Sequence, residues 1–139
     1  MRILALGIVL VMFYISMCFT GIIIQREQTD YKVNHLSSII NAECGTCTDE
    51  EMAKVGSVVL NRSDRKNLPI IKILEEPKAF KGYGSNNYYP TEKTKRIATN
   101  LLLGIMRDYD VMFFFTGEPE WARSLTIERN KQFVHNFAY

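Results

Sequence analysis

The residue of this chain best suited to acid–base chemistry is Glu43, because it lies at the end of an apolar helical stripe. The apolar residues before it follow the three- and four-residue spacing of one helical face, and they are Leu36, Ile39 and Ile40. Glu43 continues this spacing, and Asn34 is expected to cap the helix. A carboxyl group held against apolar surface keeps its proton more readily, as a general acid must. The alternative is a solvated glutamate at a helix end.

A second helix is predicted directly after Glu43. Thr48 and Glu51 have the spacing of a capping box, with Thr48 as the N-cap and the Glu51 side chain reaching back. The apolar face of this helix consists of Met52, Val55, Val58, Val59 and Leu60, and polar residues end it near Arg62. The two helices and the tight loop form a hairpin with Glu43 at its inner corner.

These residues resemble the catalytic domain of the SleB-type cell wall hydrolases, the family of the spore-cortex-lytic enzymes. In that family a glutamate opens a segment like EARGE, and the helix that follows ends in VLNR. Glu43 and the VVLNR run at 58–62 match in identity and separation. Later matches are LP at 68–69, ILEEPKAF at 73–80, VMFFF at 111–115, Trp121, and the closing HxF of His135 and Phe137. The resemblance covers roughly residues 36–139.

The chain departs from the family pattern at the corner of the hairpin. Cys44, Gly45, Thr46 and Cys47 stand where the family has Ala-Arg-Gly-Glu, and Glu51 replaces a glycine before the helix. The second carboxylate of the motif is therefore absent, and Glu43 is the one catalytic carboxylate that the resemblance carries over.

The resemblance implies a peptidoglycan-cleaving enzyme that acts between N-acetylmuramic acid (MurNAc) and N-acetylglucosamine (GlcNAc). A lone carboxyl group suits a lytic transglycosylase, which forms a 1,6-anhydro-MurNAc end, whereas glycoside hydrolysis normally needs two carboxylates. A hydrolytic muramidase, with Asp49 or Glu50 positioning water, and a non-catalytic glycan-binding protein of the same fold are the alternatives. Peptidoglycan glycan strands are the expected partner, and neither a cofactor nor a metal is expected.

The implied fold is α+β, a mainly helical lysozyme-like domain with a small β element. A helix capped by Thr91 is predicted to end near Asp108, and residues 111–115 are predicted to form a short strand. Gly, Ser and Asn indicate a loop at 77–90, whose tyrosines are expected either to stack on sugar or to pack inward. The candidate substrate-binding residues are Asn61, Phe80, Tyr83, Tyr88, Phe115, Trp121 and His135. His135 is alternatively a hydrogen-bonded structural histidine.

The N-terminal segment is predicted to be a transmembrane signal-anchor at 1–24, followed by a tether at 25–33 and the catalytic domain at 34–139. The apolar run at 3–24 would span about 33 Å as a helix, enough for a bilayer. Arg2 before it favours export of the rest. The alternative is a cleaved signal peptide and a secreted domain. Basic and acidic residues are nearly balanced, with a net charge of +2. Nucleic-acid binding would need a concentrated stripe of basic residues, so nucleic acid is not an expected partner.

The cysteines allow several interpretations. Cys18 lies in the apolar segment, whereas Cys44 and Cys47 form a CxxC beside Glu43. The CxxC pair is expected to form a disulfide in an oxidising compartment or to remain as free thiols. A redox-active pair is the runner-up. Half of a zinc site is less favoured, because His35 and His135 are isolated in the sequence and no second CxxC occurs.

Overall fold

The computed structural model describes the backbone of residues 2–117 and 119–139, and the side chains from residue 10 onward within those ranges. The chain divides into two compact units, one up to Lys32 and one at Val33–Tyr139. The elements in chain order are the helices α1 (Arg2–Cys44), α2 (Asp49–Lys66), α3 (Ile70–Leu74) and α4 (Glu92–Leu102), the strand β1 (Phe113–Phe115), a 3₁₀ turn (Glu120–Ala122), and the strands β2 (Ile127–Glu128) and β3 (Asn136–Ala138). The described chain is thus mainly helical with a small three-stranded sheet.

The first unit is the N-terminal part of α1, which is apolar up to residue 24 and polar from there to Lys32. Its described side chains, at 10–32, are all exposed, among them large apolar ones such as Phe13, Phe19 and Ile22. Within the described residues, one helix, Leu10–Cys44, is long and apolar enough to cross a membrane. Helices near an N-terminus that pass this test include membrane spans and signal sequences.

The prediction that a new helix begins at Asn34 is wrong. α1 is helical through 25–33, and the Asn34 carbonyl accepts a hydrogen bond from Ser37 Oγ at 3.0 Å inside that helix. The polar segment QREQTDYKV contains neither glycine nor proline, and most of its residues are compatible with a helix. Polarity alone therefore did not end the helix.

The start of α2 confirms Thr48 as its N-cap but not the predicted capping box. Thr48 Oγ1 accepts a hydrogen bond from the backbone N–H of Glu51 at 3.2 Å. The Glu51 side chain is only 1% exposed and points into the protein instead of reaching back to Thr48. α2 also continues past Arg62 to Lys66, where Asn67 closes it in a left-handed conformation (φ 51°).

The core of the second unit is built around α2. Buried apolar residues of the end of α1, of α2, α3 and α4 and of the C-terminal strand form one cluster, with fully buried members such as Leu36, Ile73 and Phe137. Gly56 marks a close crossing, because a Cβ there would lie 2.9 Å from Ile40 Cδ1 and 2.4 Å from Leu101 Cδ1. The glycine allows α1, α2 and α4 to converge.

The helix predicted after Thr91 forms but is shorter than expected. Thr91 and Thr94 form a reciprocal capping box, and α4 ends at Leu102. Gly104 follows with φ +77°, a conformation that suits glycine and turns the chain away from the helix. Ile105, which the predicted helix would have included, lies beyond its end and is 69% exposed.

The sheet is antiparallel, with β3 between β1 and β2. β1 lies within the strand predicted at 111–115, and Phe114 pairs with Phe137 in its register. The two-residue strand β2 was not predicted. β3 brings the chain end, with the preceding His135, back against α2, where His135 contacts Glu51.

Candidate active site

A surface cleft of about 430 Å³ lies at the corner where α1 ends and α2 begins. Glu43 lines it, with His135 and Val134 of the C-terminal segment and Tyr89 of the 77–90 loop. The remaining lining residues are Asn41, Ala42, Cys44, Gly45, Thr46, Cys47 and Asn87. The structure therefore gathers Glu43, both cysteines of the CxxC and His135 at one cleft.

Glu43 is half-buried, and its carboxylate is held by the loop that faces it. The backbone N–H of Gly82 donates to Glu43 Oε1 at 2.5 Å. A Cβ on Gly82 would lie 2.6 Å from Ala42 Cβ, so only glycine allows this approach. Asn41 Nδ2 donates to the Asn87 carbonyl at 3.0 Å and gives the loop a second link to α1. One oxygen of Glu43 is thus fixed in a cleft wide enough for a ligand.

A disulfide joins Cys44 and Cys47 directly beside Glu43, with Cα atoms 5.2 Å apart. Both cysteines are buried, and the Cys47 N–H donates to the Cys44 carbonyl at 3.0 Å, which closes the turn. Lys93 Nζ donates to the Cys47 carbonyl at 3.2 Å. The turn that follows Glu43 is therefore closed covalently and tied to α4.

Glu51 belongs to the same region, and the sequence analysis assigned it the wrong role. Glu51 Oε1 accepts hydrogen bonds from the backbone N–H groups of Val134 and His135, both at 2.8 Å. His135 Nδ1 lies 2.8 Å from the same oxygen and 3.8 Å from Cys44 Sγ. The burial of Glu51 could have been predicted from the sequence. Glu51 precedes Val55 and Val58 by four and seven residues, which places it on the buried face of α2.

The tyrosines of the 77–90 loop divide between core and cleft. Tyr83 and Tyr88 are half-buried, and their rings meet edge to face at 5.1 Å. The Tyr88 hydroxyl is also hydrogen-bonded to His35 Nδ1 at 2.7 Å. Tyr89, which the prediction for the loop tyrosines included without naming it as a candidate, is exposed and lines the cleft. Tyr89 is therefore the tyrosine of this loop that is placed to meet a ligand beside Glu43.

The other candidates lie outside the cleft lining. Phe80 is buried in the main core against Phe114, and Phe115 lies in a second apolar cluster. Trp121 is 55% exposed, and its ring packs on Phe115 with the centroids 5.2 Å apart. These positions give the three candidate aromatic residues packing roles around the sheet.

Asn61 has a structural position as well. Its Nδ2 donates to the carbonyls of Asp108 and Val111 at 2.8 and 2.7 Å. Its Oδ1 accepts two hydrogen bonds from Arg107, at 3.0 and 2.8 Å. The amide is fully used in binding the segment before β1 to α2, and it has no group left for a sugar.

A half-buried ion cluster supports the sheet. Lys54 Nζ donates to Asp108 at 2.9 Å, to Glu128 at 2.8 Å and to the Tyr139 hydroxyl at 3.1 Å, and Tyr139 donates to Glu128. Burial acts to lower the pKa of Lys54, but these hydrogen bonds outweigh it and hold that pKa above its usual value.

The acidic members of the cluster have pKa values displaced in the opposite direction. Burial acts to raise the pKa of Asp108, yet the hydrogen bond from Lys54, hydrogen bonds from nearby backbone N–H groups and the charge of Lys54 together outweigh it and lower that pKa. Hydrogen bonds from Lys54 and Tyr139 lower the pKa of Glu128. Burial and the hydrogen bond to Glu128 raise the pKa of Tyr139 to about 12. The cluster is therefore charged across the neutral range and ties α2 to β2 and to the chain end.

Comparison with known proteins adds no assignment. No protein-family model, no curated protein and no solved structure matches this chain.

Proposed function

We propose that this protein is a membrane-anchored lytic transglycosylase that cleaves peptidoglycan between MurNAc and GlcNAc, with Glu43 as its only acid and base. The observation that carries the proposal is the position of Glu43. Its carboxylate lines an open cleft of about 430 Å³, and Gly82 fixes one of its oxygens. A carboxyl group held in this way is a suitable proton donor to a bound glycan.

The reaction needs one carboxyl group and no other reactant. Glu43 gives its proton to the glycosidic oxygen as the bond from that oxygen to C1 of MurNAc breaks. The C6 hydroxyl oxygen of the same MurNAc then bonds to C1, and its proton passes to the Glu43 carboxylate. The products are a 1,6-anhydro-MurNAc end and a free 4-hydroxyl on GlcNAc, and Glu43 is protonated again.

The surroundings of Glu43 favour this reaction over two-carboxylate hydrolysis. Asp49 is exposed and paired with Lys93 and Arg96 at 3.1 and 3.2 Å, and Glu50 is exposed as well. Glu51 is buried and holds the backbone of Val134 and His135. None of these carboxylates lines the cleft, so none is positioned to activate a water there.

Two further parts of the proposal concern fold and location. A helical hairpin with a glutamate at its corner and a small antiparallel sheet is compatible with a lysozyme-like domain. We place this domain outside the cytoplasm, anchored in the cell membrane by the apolar part of α1 or secreted after its cleavage. The disulfide at Cys44 and Cys47 supports this location, since disulfides persist in oxidising compartments.

Product analysis tests the proposal. The full-length protein in detergent is incubated with purified peptidoglycan, and the soluble muropeptides are identified by mass. A lytic transglycosylase releases anhydro-muropeptides, which are one water lighter than the products with reducing ends that a muramidase releases. Products with reducing ends would show that the enzyme is a hydrolytic muramidase and not a lytic transglycosylase. Binding to peptidoglycan without release of muropeptides would favour the glycan-binding alternative.

A further inference from the structure

A group of four buried side chains, three of which line the cleft, has its ligand atoms all within 4.8 Å of one another. The group consists of Cys44, Cys47, Glu51 and His135. We infer that these four residues form a zinc-binding site in the reduced protein, so that the corner beside Glu43 is closed either by a disulfide or by a metal ion. The inference is independent of the peptidoglycan reaction.

The donor set matches the coordination chemistry of zinc. Zinc in proteins is bound by cysteine thiolates, histidine nitrogens and Asp or Glu oxygens, usually four in a tetrahedral arrangement, and this group supplies four donors of these three kinds. The sequence offered only the CxxC half of such a site. The fold supplies the other half, because β3 brings His135 against Cys44 and α2 brings Glu51 against His135.

The two non-cysteine ligands are already in contact with each other, and the histidine also lies beside Cys44. His135 Nδ1 lies 2.8 Å from Glu51 Oε1 and 3.8 Å from Cys44 Sγ. A zinc ion would take the place of the proton between Nδ1 and the carboxylate. The backbone N–H groups of Val134 and His135 hold the carboxylate from outside the site, as outer contacts do around protein-bound metals.

The site requires little rearrangement around the cysteines. A tetrahedral ion with bonds of about 2.3 Å to sulfur needs the two sulfurs about 3.8 Å apart. The Cα atoms of Cys44 and Cys47 are 5.2 Å apart in a closed turn, so rotation of the side chains provides this separation. Two thiolates and one carboxylate leave the loaded site with one net negative charge. Lys93, whose Nζ donates to the Cys47 carbonyl at 3.2 Å and pairs with Asp49, places a positive charge beside the site.

The change between the two forms is a two-electron reduction. A dithiol reductant breaks the bond between the sulfurs of Cys44 and Cys47, transfers two electrons and two protons to them, and becomes a disulfide itself. Zinc then binds and displaces the two thiol protons into solvent, and the proton of His135 Nδ1 is exchanged through solvent to Nε2, so that the imidazole stays neutral. Because a sulfur in the disulfide is not a thiolate, the oxidised protein has no zinc site.

Cobalt(II) is the probe for the test, since its tetrahedral thiolate complexes absorb in the visible region. Full-length protein in detergent is titrated with cobalt(II), oxidised or after reduction with a phosphine, which, unlike dithiols, is a weak metal ligand. The reduced protein is expected to bind one ion per chain with thiolate charge-transfer bands, and zinc is expected to displace it. The oxidised protein is expected to show no bands.

Variants separate the four-residue site from an ordinary reduced CxxC. Glu51→Gln and His135→Gln are each expected to weaken cobalt binding at least about tenfold, and Cys44→Ser to abolish it. Cys18→Ser, which changes the free cysteine outside the site, is the matched control and is expected to leave binding unchanged. The absence of bands in the reduced wild type would overturn the inference. Equal affinity of Glu51→Gln, His135→Gln and wild type would overturn it as well.

A second measurement applies even if these variants fail to fold. In the reduced wild-type protein, zinc is expected to slow alkylation of Cys44 and Cys47 but not of Cys18, as measured by mass spectrometry of the peptides. If zinc leaves the alkylation rates of all three cysteines unchanged, the site does not exist.

Discussion

The backbone N–H of Gly82 donates to Glu43 Oε1 at 2.5 Å, which links two segments 39 residues apart in the chain. This hydrogen bond orients the carboxylate that the proposed reaction uses, and a Cβ on Gly82 would meet Ala42 at 2.6 Å. The loop at 77–90 therefore contributes to the site through its backbone more than through its tyrosines.

Gly82→Ala is expected to reduce muropeptide release about 100-fold, because the added methyl group displaces the loop and misplaces the Glu43 carboxylate. Asn86→Ala changes an exposed residue of the same loop and is the matched control. The circular dichroism of both variants should equal that of the wild type. Activity of Gly82→Ala within a factor of two of the control would show that this contact does not position Glu43.

Glu51→Ala is expected to lower the free energy of unfolding by about 2–4 kcal/mol. The substitution leaves the N–H groups of Val134 and His135 without their acceptor in a buried place, which costs more than the hydrogen bonds themselves contribute. Glu50→Ala, at an exposed neighbouring position, should change stability by less than about 0.5 kcal/mol. Urea unfolding in detergent, followed by the fluorescence of Trp121, measures the free energy of unfolding of both variants. An equal loss of stability in Glu51→Ala and Glu50→Ala would refute the structural role of Glu51.

The disulfide is expected to stabilise the second unit by about 2 kcal/mol, since it closes a short loop with a sequence separation of 3. Reduction of the wild-type protein with a phosphine in the presence of a metal chelator should lower the free energy of unfolding by this amount. The variant with both Cys44→Ser and Cys47→Ser should be insensitive to the reductant. If the phosphine lowers the free energy of unfolding of that variant as much as that of the wild type, the loss of stability does not come from the disulfide.

The ion cluster around Lys54 predicts a loss of stability in acid. The pKa values of Asp108 and Glu128 lie below their ordinary values of 3.8 and 4.5 in the folded protein. The two ionised carboxylates therefore contribute their full stabilisation above about pH 4.5. This contribution is lost as the pH falls through the lowered pKa values of Asp108 and Glu128 in the folded protein.

Lys54→Met tests the origin of this acid dependence. It removes the cation that lowers both pKa values, so it should cost about 1–3 kcal/mol at pH 7 and make the loss of stability below pH 4.5 shallower. Lys81→Met, at an exposed loop position, is the control. Urea unfolding between pH 3 and pH 7 measures the slopes, and parallel curves for Lys54→Met and the wild type would contradict the account.

The parts of the fold that could be predicted depend on local signals. Thr48 and Thr91 begin helices because each side chain binds a backbone N–H three residues ahead. The Gly, Ser and Asn residues of 77–90 predicted a loop, and the run at 111–115 contains β1. Asn34 failed as a cap because nothing in the preceding segment interrupts the helix.

The parts that could not be predicted depend on contacts between distant segments. Glu51 and His135 are 84 residues apart, and no local pattern specifies that pairing. Asn61 is a similar case, since its apolar neighbours on α2 do not reveal that Arg107 and the segment before β1 use its whole amide. The candidate site was therefore predictable at Glu43, whose helix face is local, but not in the residues around it.

The most direct test of the proposed function is the rate of anhydro-muropeptide release by Glu43→Gln beside that of Glu50→Gln. The first substitution removes the proton donor in the cleft and keeps its shape, and the second makes the same chemical change at an exposed carboxylate outside the cleft. We predict a loss of at least about 1,000-fold for Glu43→Gln and a rate within a factor of two of the wild type for Glu50→Gln. Equal release of anhydro-muropeptides by Glu43→Gln and the wild type would contradict the account.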